Sequence, residues 1–276
     1  MIPKQTDTVT PQTSSQLMDG SPIREFILLA GKDSTGKTSA IVSLARYIEL
    51  MTPEATVYVV DSENKFKGAM RSFGADAPTN IVYFKTSNMN EVTSSTAMIL
   101  ERHKPGDWLA VESLSRIWEY AQDLGYQAIE GIGKIEYLER RREKTQRGSP
   151  IPRPDEFWAV VKGAHDSAFF QLLTQVDTLN VICTTTIAKP PKERVNLKEN
   201  IDRKALRVEL GIDSNLEGAP RLPYYVESLA MLDLVSGNVT CRMLRDNLST
   251  KDESRNEFPV PDKKSWGFAF YENCRA

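Results

Sequence analysis

Nine consecutive residues, Gly31-Lys32-Asp33-Ser34-Thr35-Gly36-Lys37-Thr38-Ser39, contain the spacing G-x-x-x-x-G-K-[ST]. Its glycines let the backbone fold around a phosphate, the N–H groups from Lys32 to Thr38 point inward, and a helix starting there adds positive potential. Lys37 would neutralise terminal phosphates and the Thr38 hydroxyl would ligate Mg²⁺. Such a turn needs a strand before it and a helix after it. The apolar run Phe26–Ala30 supplies the strand, and Ile41, Leu44, Ala45 and Ile48 fall on one helical face behind it.

Acidic groups close two further apolar runs. Val57-Tyr-Val-Val-Asp61-Ser62-Glu63 ends in two acids one residue apart, and Trp108-Leu-Ala-Val-Glu112-Ser113 ends in one. In a parallel sheet, ligands bind beyond the carboxyl ends of the strands, so these acids would face the phosphates. One of Asp61 and Glu63 would orient and deprotonate an attacking water; the competing role for both is to cap the helix that follows. Glu112 would hold the metal, with helix capping again the alternative. A further run, Val181-Ile-Cys-Thr-Thr-Thr186, ends in three hydroxyls that would sense a terminal phosphate, although threonine is common in strands on propensity alone.

Five short strands are expected at Phe26–Ala30, Val57–Asp61, Ile81–Phe84, Trp108–Val111 and Val181–Thr185, with helical patterns between them, notably Lys65–Phe73 and Phe157–Leu179. That alternation implies an α/β fold with a mainly parallel sheet. Val226–Val235 and Val239–Arg245 flank Ser236-Gly237-Asn238 and read as a late antiparallel hairpin. Residues 1–22, rich in Thr, Ser, Gln and Pro, are expected to form a flexible tail, and 23–276 one domain.

The net charge of −2 excludes global basicity, so any polyanion-binding surface must be local. No apolar run reaches the length of a membrane span and the N-terminus lacks a signal-like apolar centre, so no membrane partner and a cytoplasmic location are expected. Cys183, Cys241 and Cys274 lack CxxC spacing, and His103 and His165 are the only histidines, which gives no disulfide framework and no zinc cluster.

The ordered set GKDSTGKT, a strand ending Asp61-Ser62-Glu63, LAVES and VICTTT resembles the RecA-like P-loop ATPases, over the chain from about Ile23 to Asn247. The resemblance implies ATP and Mg²⁺ as ligands and a homo-oligomer, ring or filament. It places the catalytic glutamate at Glu63 rather than Asp61, the metal-holding strand at LAVES with Glu112 where the family usually has aspartate, and the sensor at Thr185 and Thr186. It also places Arg245 where the family supplies a cation to a neighbouring subunit's γ-phosphate. Overall pattern is most similar to small phage-encoded members that accompany single-strand annealing and recombination, which implies recombination or replication proteins as partners.

Two basic segments follow the strands whose loops face DNA in that family. Arg140, Arg141, Arg142, Lys144, Arg147 and Arg153 stand against the single acid Glu143, and the Gly148-to-Pro154 stretch is expected to make this segment a mobile loop. The second, Lys189–Arg207, includes Lys189, Lys192 and Arg194 and carries seven cations against three acids. Their expected ligand is single-stranded DNA, bound through its phosphates; a solvated charged face is the alternative. A switch ATPase that organises proteins and a small-molecule kinase are the rival functions. A GTPase is disfavoured because no N-K-x-D base reader is present.

Overall fold

The computed structural model describes residues 24–145, 155–166, 176–188, 210, 215–218, 222–248, 257–262 and 264–275, with the backbone alone for 141–145, 155 and 222. The tail 1–22 lies outside these residues. In chain order the elements are β1 (Phe26–Gly31), α1 (Lys37–Met51), β2 (Val57–Asp61), α2 (Phe66–Phe73), β3 (Ile81–Lys85), α3 (Met89–Arg102), β4 (Trp108–Glu112), α4 (Leu114–Glu130), α5 (Lys134–Thr145) and α6 (Asp155–His165). They continue with β5 (Asn180–Ala188), β6 (Asn215–Leu216), β7 (Ser228–Val235), β8 (Asn238–Asp246), β9 (Glu257–Val260) and α7 (Trp266–Cys274).

The strands are ordered β3-β2-β4-β5-β1-β7-β8-β9, with β6 paired to β5. From β3 to β7 every pairing is parallel, and β8 and β9 then run antiparallel. This is the α/β arrangement expected: a mainly parallel sheet flanked by helices, with a late antiparallel hairpin. Ser236 and Gly237, both at positive φ (52° and 85°), form the two-residue hairpin turn whose twist suits the flanking strands.

Helices cover both faces, which explains why the central strands read as continuous apolar runs rather than alternating ones. Along β1, Phe26, Leu28 and Ala30 belong to the same hydrophobic cluster as Val92 and Ile99 of α3, Ile117 of α4 and Phe157 of α6. Ile27 and Leu29 face the opposite way, towards Ile41 and Leu44 of α1, Phe66 and Phe73 of α2, and Trp266 and Phe270 of α7.

One expectation is corrected. The basic stretch from Arg140 was expected to be a loop, yet α5 extends to Thr145. The sequence KIEYLERRREKT is rich in good helix formers, and the Glu136–Arg140 ion pair at i,i+4 supports the turn, so propensity prevails over the breakers downstream. Gly148, Pro150, Pro152 and Pro154 lie outside the described residues. Helix α6 occupies the start of the expected Phe157–Leu179 helix, and residues 167–175 are likewise outside them.

Candidate functional site

Registration of the parallel strands brings their carboxyl ends together. Gly31 pairs with Thr186 across β1 and β5, and Asp61 pairs with Glu112 across β2 and β4. Beyond these ends lies a cavity of about 320 Å³ whose walls include Ser34, Lys37, Thr38, Glu63, Lys65 and Glu112. Asp33, Gly36, Ser39 and Thr186 also border it.

The Gly31-to-Ser39 turn is built as a cradle. A Cβ at Gly31 would lie 2.6 Å from Thr35 Oγ1 and 2.9 Å from the Leu232 carbonyl, so glycine is required by close approach. Gly36 sits at φ 97° immediately before α1, the left-handed conformation glycine adopts without penalty. Buried Thr35 pins the turn by donating to the Lys32 carbonyl at 2.9 Å. Helix α1 has no side-chain hydrogen bond at its N-cap and no acid in its first turn, which leaves its positive end to the cavity. Lys37 is buried there and donates to the carbonyls of Gly31 and Lys32, both at 2.8 Å. Burial lowers its pKa, a cost that a polyphosphate would relieve.

Glu112 is almost fully enclosed, at 1% exposure. Thr38 Oγ1 donates to its Oε1 at 3.0 Å and Thr184 Oγ1 to its Oε2 at 2.7 Å. Desolvation pushes its carboxyl up to about 7 despite those two hydrogen bonds. Mg²⁺ fits this pair: hydroxyl and carboxylate are the hard oxygen donors it takes, and a cation there would hold the buried carboxylate ionised. Thr38 and Glu112 are the residues that would hold it.

The acid that ends β2 and the one two residues beyond it are placed differently. Asp61 is fully buried and turned away from the cavity; its Oδ1 accepts from the Glu63 N–H at 3.0 Å, and its Oδ2 from the Phe66 N–H at 3.0 Å and from Tyr83 Oη at 3.1 Å. It shapes the turn into α2. Burial and the neighbouring carboxylate push the Tyr83 phenol up to about 12. Glu63 instead faces the cavity, where Ser113 Oγ donates to its Oε1 at 2.6 Å and Lys65 makes an ion pair with its Oε2. Desolvation raises its pKa, but the Lys65 and Ser113 contacts outweigh that and hold it below the ordinary carboxylate range.

The hydroxyls of β5 divide differently from expectation. Thr186 borders the cavity, whereas Thr185 Oγ1 donates to the Glu217 carbonyl at 2.5 Å and lies 3.2 Å from Ser115 Oγ. Thr184, outside the expected sensor pair, is the one that holds Glu112.

Arg245 does not join this cavity. It pairs with Leu229, which is level with Leu28, three residues back from Gly31 and hence about 10 Å from the cavity end of the sheet. There it donates to the Pro223 carbonyl at 2.7 Å. Antiparallel β8 runs away from the cavity, which keeps Arg245 out of the cavity of its own chain; the expected contact was with a neighbouring subunit's γ-phosphate.

Of the expected DNA-binding residues, Arg140 is exposed and paired with Glu136 at 2.6 Å. Arg141, Arg142 and Lys144 lie on α5. Arg147, Lys189, Lys192 and Arg194 lie outside the described residues.

Three contributors escaped the sequence reading, Ser62, Lys65 and Ser113, and Thr184 was read only as one of three sensing hydroxyls, not as a partner of Glu112. Ser62 stitches the β2 and β4 ends together; its N–H donates to the Glu112 carbonyl at 2.5 Å, and its Oγ accepts from the Ser113 N–H at 3.0 Å. The available signal was a serine directly after the acid that ends each strand, in DSE and in LAVES.

No protein-family model matches the chain, and no curated protein does. Among solved structures it is similar to the flagellar accessory protein FlaH from Methanocaldococcus jannaschii, at 12% identity over 90% of this chain and 92% of that one, with a TM-score of 0.45. It is also similar to a KaiC-like protein from the hyperthermophilic archaeon Pyrococcus horikoshii OT3, at 13% identity over 89% of each chain, with a TM-score of 0.49. Among the described residues, no helix is long and apolar enough to cross a membrane.

Proposed function

We propose that the chain is a Mg²⁺-dependent ATPase of the RecA-like kind that acts on single-stranded DNA in recombination, annealing or replication, as an assembly of identical copies. The observation that carries the ATPase reading is the convergence of Lys37, Thr38, Glu112 and Glu63 on one cavity at the carboxyl ends of β1, β2 and β4. Lys37 and the start of α1 bind the phosphates. When bound, Mg²⁺ would supply charge neutralisation across the terminal phosphates. Glu63, held by Ser113, orients the attacking water and accepts its proton.

Support for a polynucleotide comes from placement and charge. Strand β5 is parallel to β1 and leaves the sheet at the phosphate end, at Ala188, directly before the Lys189–Arg207 segment with its seven cations. Contacts from such a segment to a phosphate backbone give affinity without sequence readout and are weakened by salt.

Phosphate release by wild type and Lys37→Ala, with and without single-stranded DNA at low and raised salt, tests the reading. Release by wild type only, stimulated by DNA at low salt and not at high salt, is expected. Turnover indifferent to DNA would instead favour a switch ATPase acting on proteins. ADP formed alongside a phosphorylated acceptor, with little free phosphate, would favour a kinase. No turnover under any condition would sink the ATPase reading.

A further inference from the structure

Lys65 has no part in the motifs that define the cavity, yet its side chain borders that cavity beside Lys37 and Thr38. Its ammonium is ion-paired with Glu63, the carboxylate that must be free to take a proton. The backbone beneath the pair is fixed at both ends by Asp61, which accepts from the N–H groups of Glu63 and Phe66. Between them Asn64 stands at φ 58°, a left-handed turn that asparagine tolerates. Glu63 is further held by Ser113 Oγ at 2.6 Å and its side chain is 19% exposed; the Lys65 side chain is 57% exposed. The carboxylate is therefore the anchored partner and the lysine the movable one, a point charge on a flexible four-carbon stem.

We propose that Lys65 is a triphosphate-sensing latch: it holds Glu63 in an ion pair until a terminal phosphate enters the cavity and draws the ammonium to itself. The proposal rests on the Mg-ATP reading above and adds a regulatory step to it. With the latch closed, Ser113 occupies one carboxylate oxygen of Glu63 and Lys65 the other, so the group is a poor base. A terminal phosphoryl group carries about two negative charges against the single charge of Glu63 and so competes for the cation. Transfer of Lys65 to that phosphate neutralises it and exposes Glu63 to water in the same movement. A diphosphate carries its terminal charge one phosphoryl group short of that position, so the latch stays closed. Hydrolysis is thereby tied to a complete triphosphate within one chain, with a cation that the same chain supplies.

The test compares wild type, Lys65→Met and Lys65→Arg for binding of Mg-ADP and a non-hydrolysable Mg-ATP analogue, and for phosphate release from ATP. Lys65 is exposed, so the variants are expected to fold. Lys65→Met should leave ADP affinity within about twofold, weaken the analogue about tenfold, the loss of one charge-assisted contact, and slow phosphate release at saturating ATP. Lys65→Arg should restore most of both. An unchanged analogue-to-ADP affinity ratio in Lys65→Met, in a setting where wild type hydrolyses ATP, overturns the latch and leaves the ATPase reading intact. Wild type that binds no nucleotide overturns both.

Discussion

Thr38 Oγ1 donates to Glu112 Oε1 at 3.0 Å across 74 positions of sequence. The hydroxyl opens α1 and the carboxylate closes β4, so the contact joins the phosphate turn to the second acid-bearing strand. A divalent cation that both residues hold should couple nucleotide affinity to metal. In Thr38→Ala, the tightening of ATP-analogue binding that Mg²⁺ brings to wild type should shrink about tenfold or more. Calorimetric titration with Mg²⁺ and with EDTA checks it, and equal Mg²⁺ dependence in the two proteins would contradict the assignment.

Burial of Glu112 also predicts a pH dependence of the metal-free protein. Its folded-state pKa, about 7, is raised above the ordinary value of 4.5, so the unfolded chain gives up this proton more readily. The stabilising contribution of the protonated form is complete below about 4.5 and is lost as pH rises towards about 7. Glu112→Gln lacks this titration while Thr38, Thr184, Lys37 and Glu63 still surround the position. In EDTA, the Tm of wild type relative to Glu112→Gln should fall between pH 5 and pH 8. A constant difference across that range would refute it.

Asp61 and Glu63 should separate by readout. Asp61→Ala leaves the Glu63 N–H, the Phe66 N–H and Tyr83 Oη without their acceptor beneath the α2 turn, and should cost at least about 2 kcal/mol of stability. Glu63→Ala removes a partly exposed ion pair and should cost within about 1 kcal/mol. Urea midpoints of the two variants decide it. Equal destabilisation would mean that Asp61 is not the structural acid.

The central parallel strands β1, β2 and β4 were legible because each is buried along its whole length and reads as an uninterrupted apolar run. The phosphate turn was legible because its glycines, lysine and threonine are contiguous. Choosing Glu63 over Asp61 required the family resemblance, since the bare pattern offered a cap and a base for either. Thr184, Thr185 and Thr186 are alike in composition, and only the packing of β5 against β4 and α4 decides which hydroxyl meets Glu112. Ser113 and Glu63 stand 50 positions apart, a separation no local pattern bridges. Lys65 was within reach of a local reading, but its neighbours in Asn64-Lys65-Phe66-Lys67 look like an ordinary helix start. The place of Arg245 was already implicit in the hairpin: an antiparallel return carries the end of β8 away from the cavity.

The central claim is that Glu63 is the base of an ATP-hydrolysing site. Its most direct test is phosphate release from saturating Mg-ATP by wild type and Glu63→Gln, with ATP-analogue binding measured on the same samples. Turnover should fall on the order of 10²–10⁴ in Glu63→Gln while analogue binding stays largely intact. Equal turnover in the two proteins would remove Glu63 from the chemistry and contradict the account.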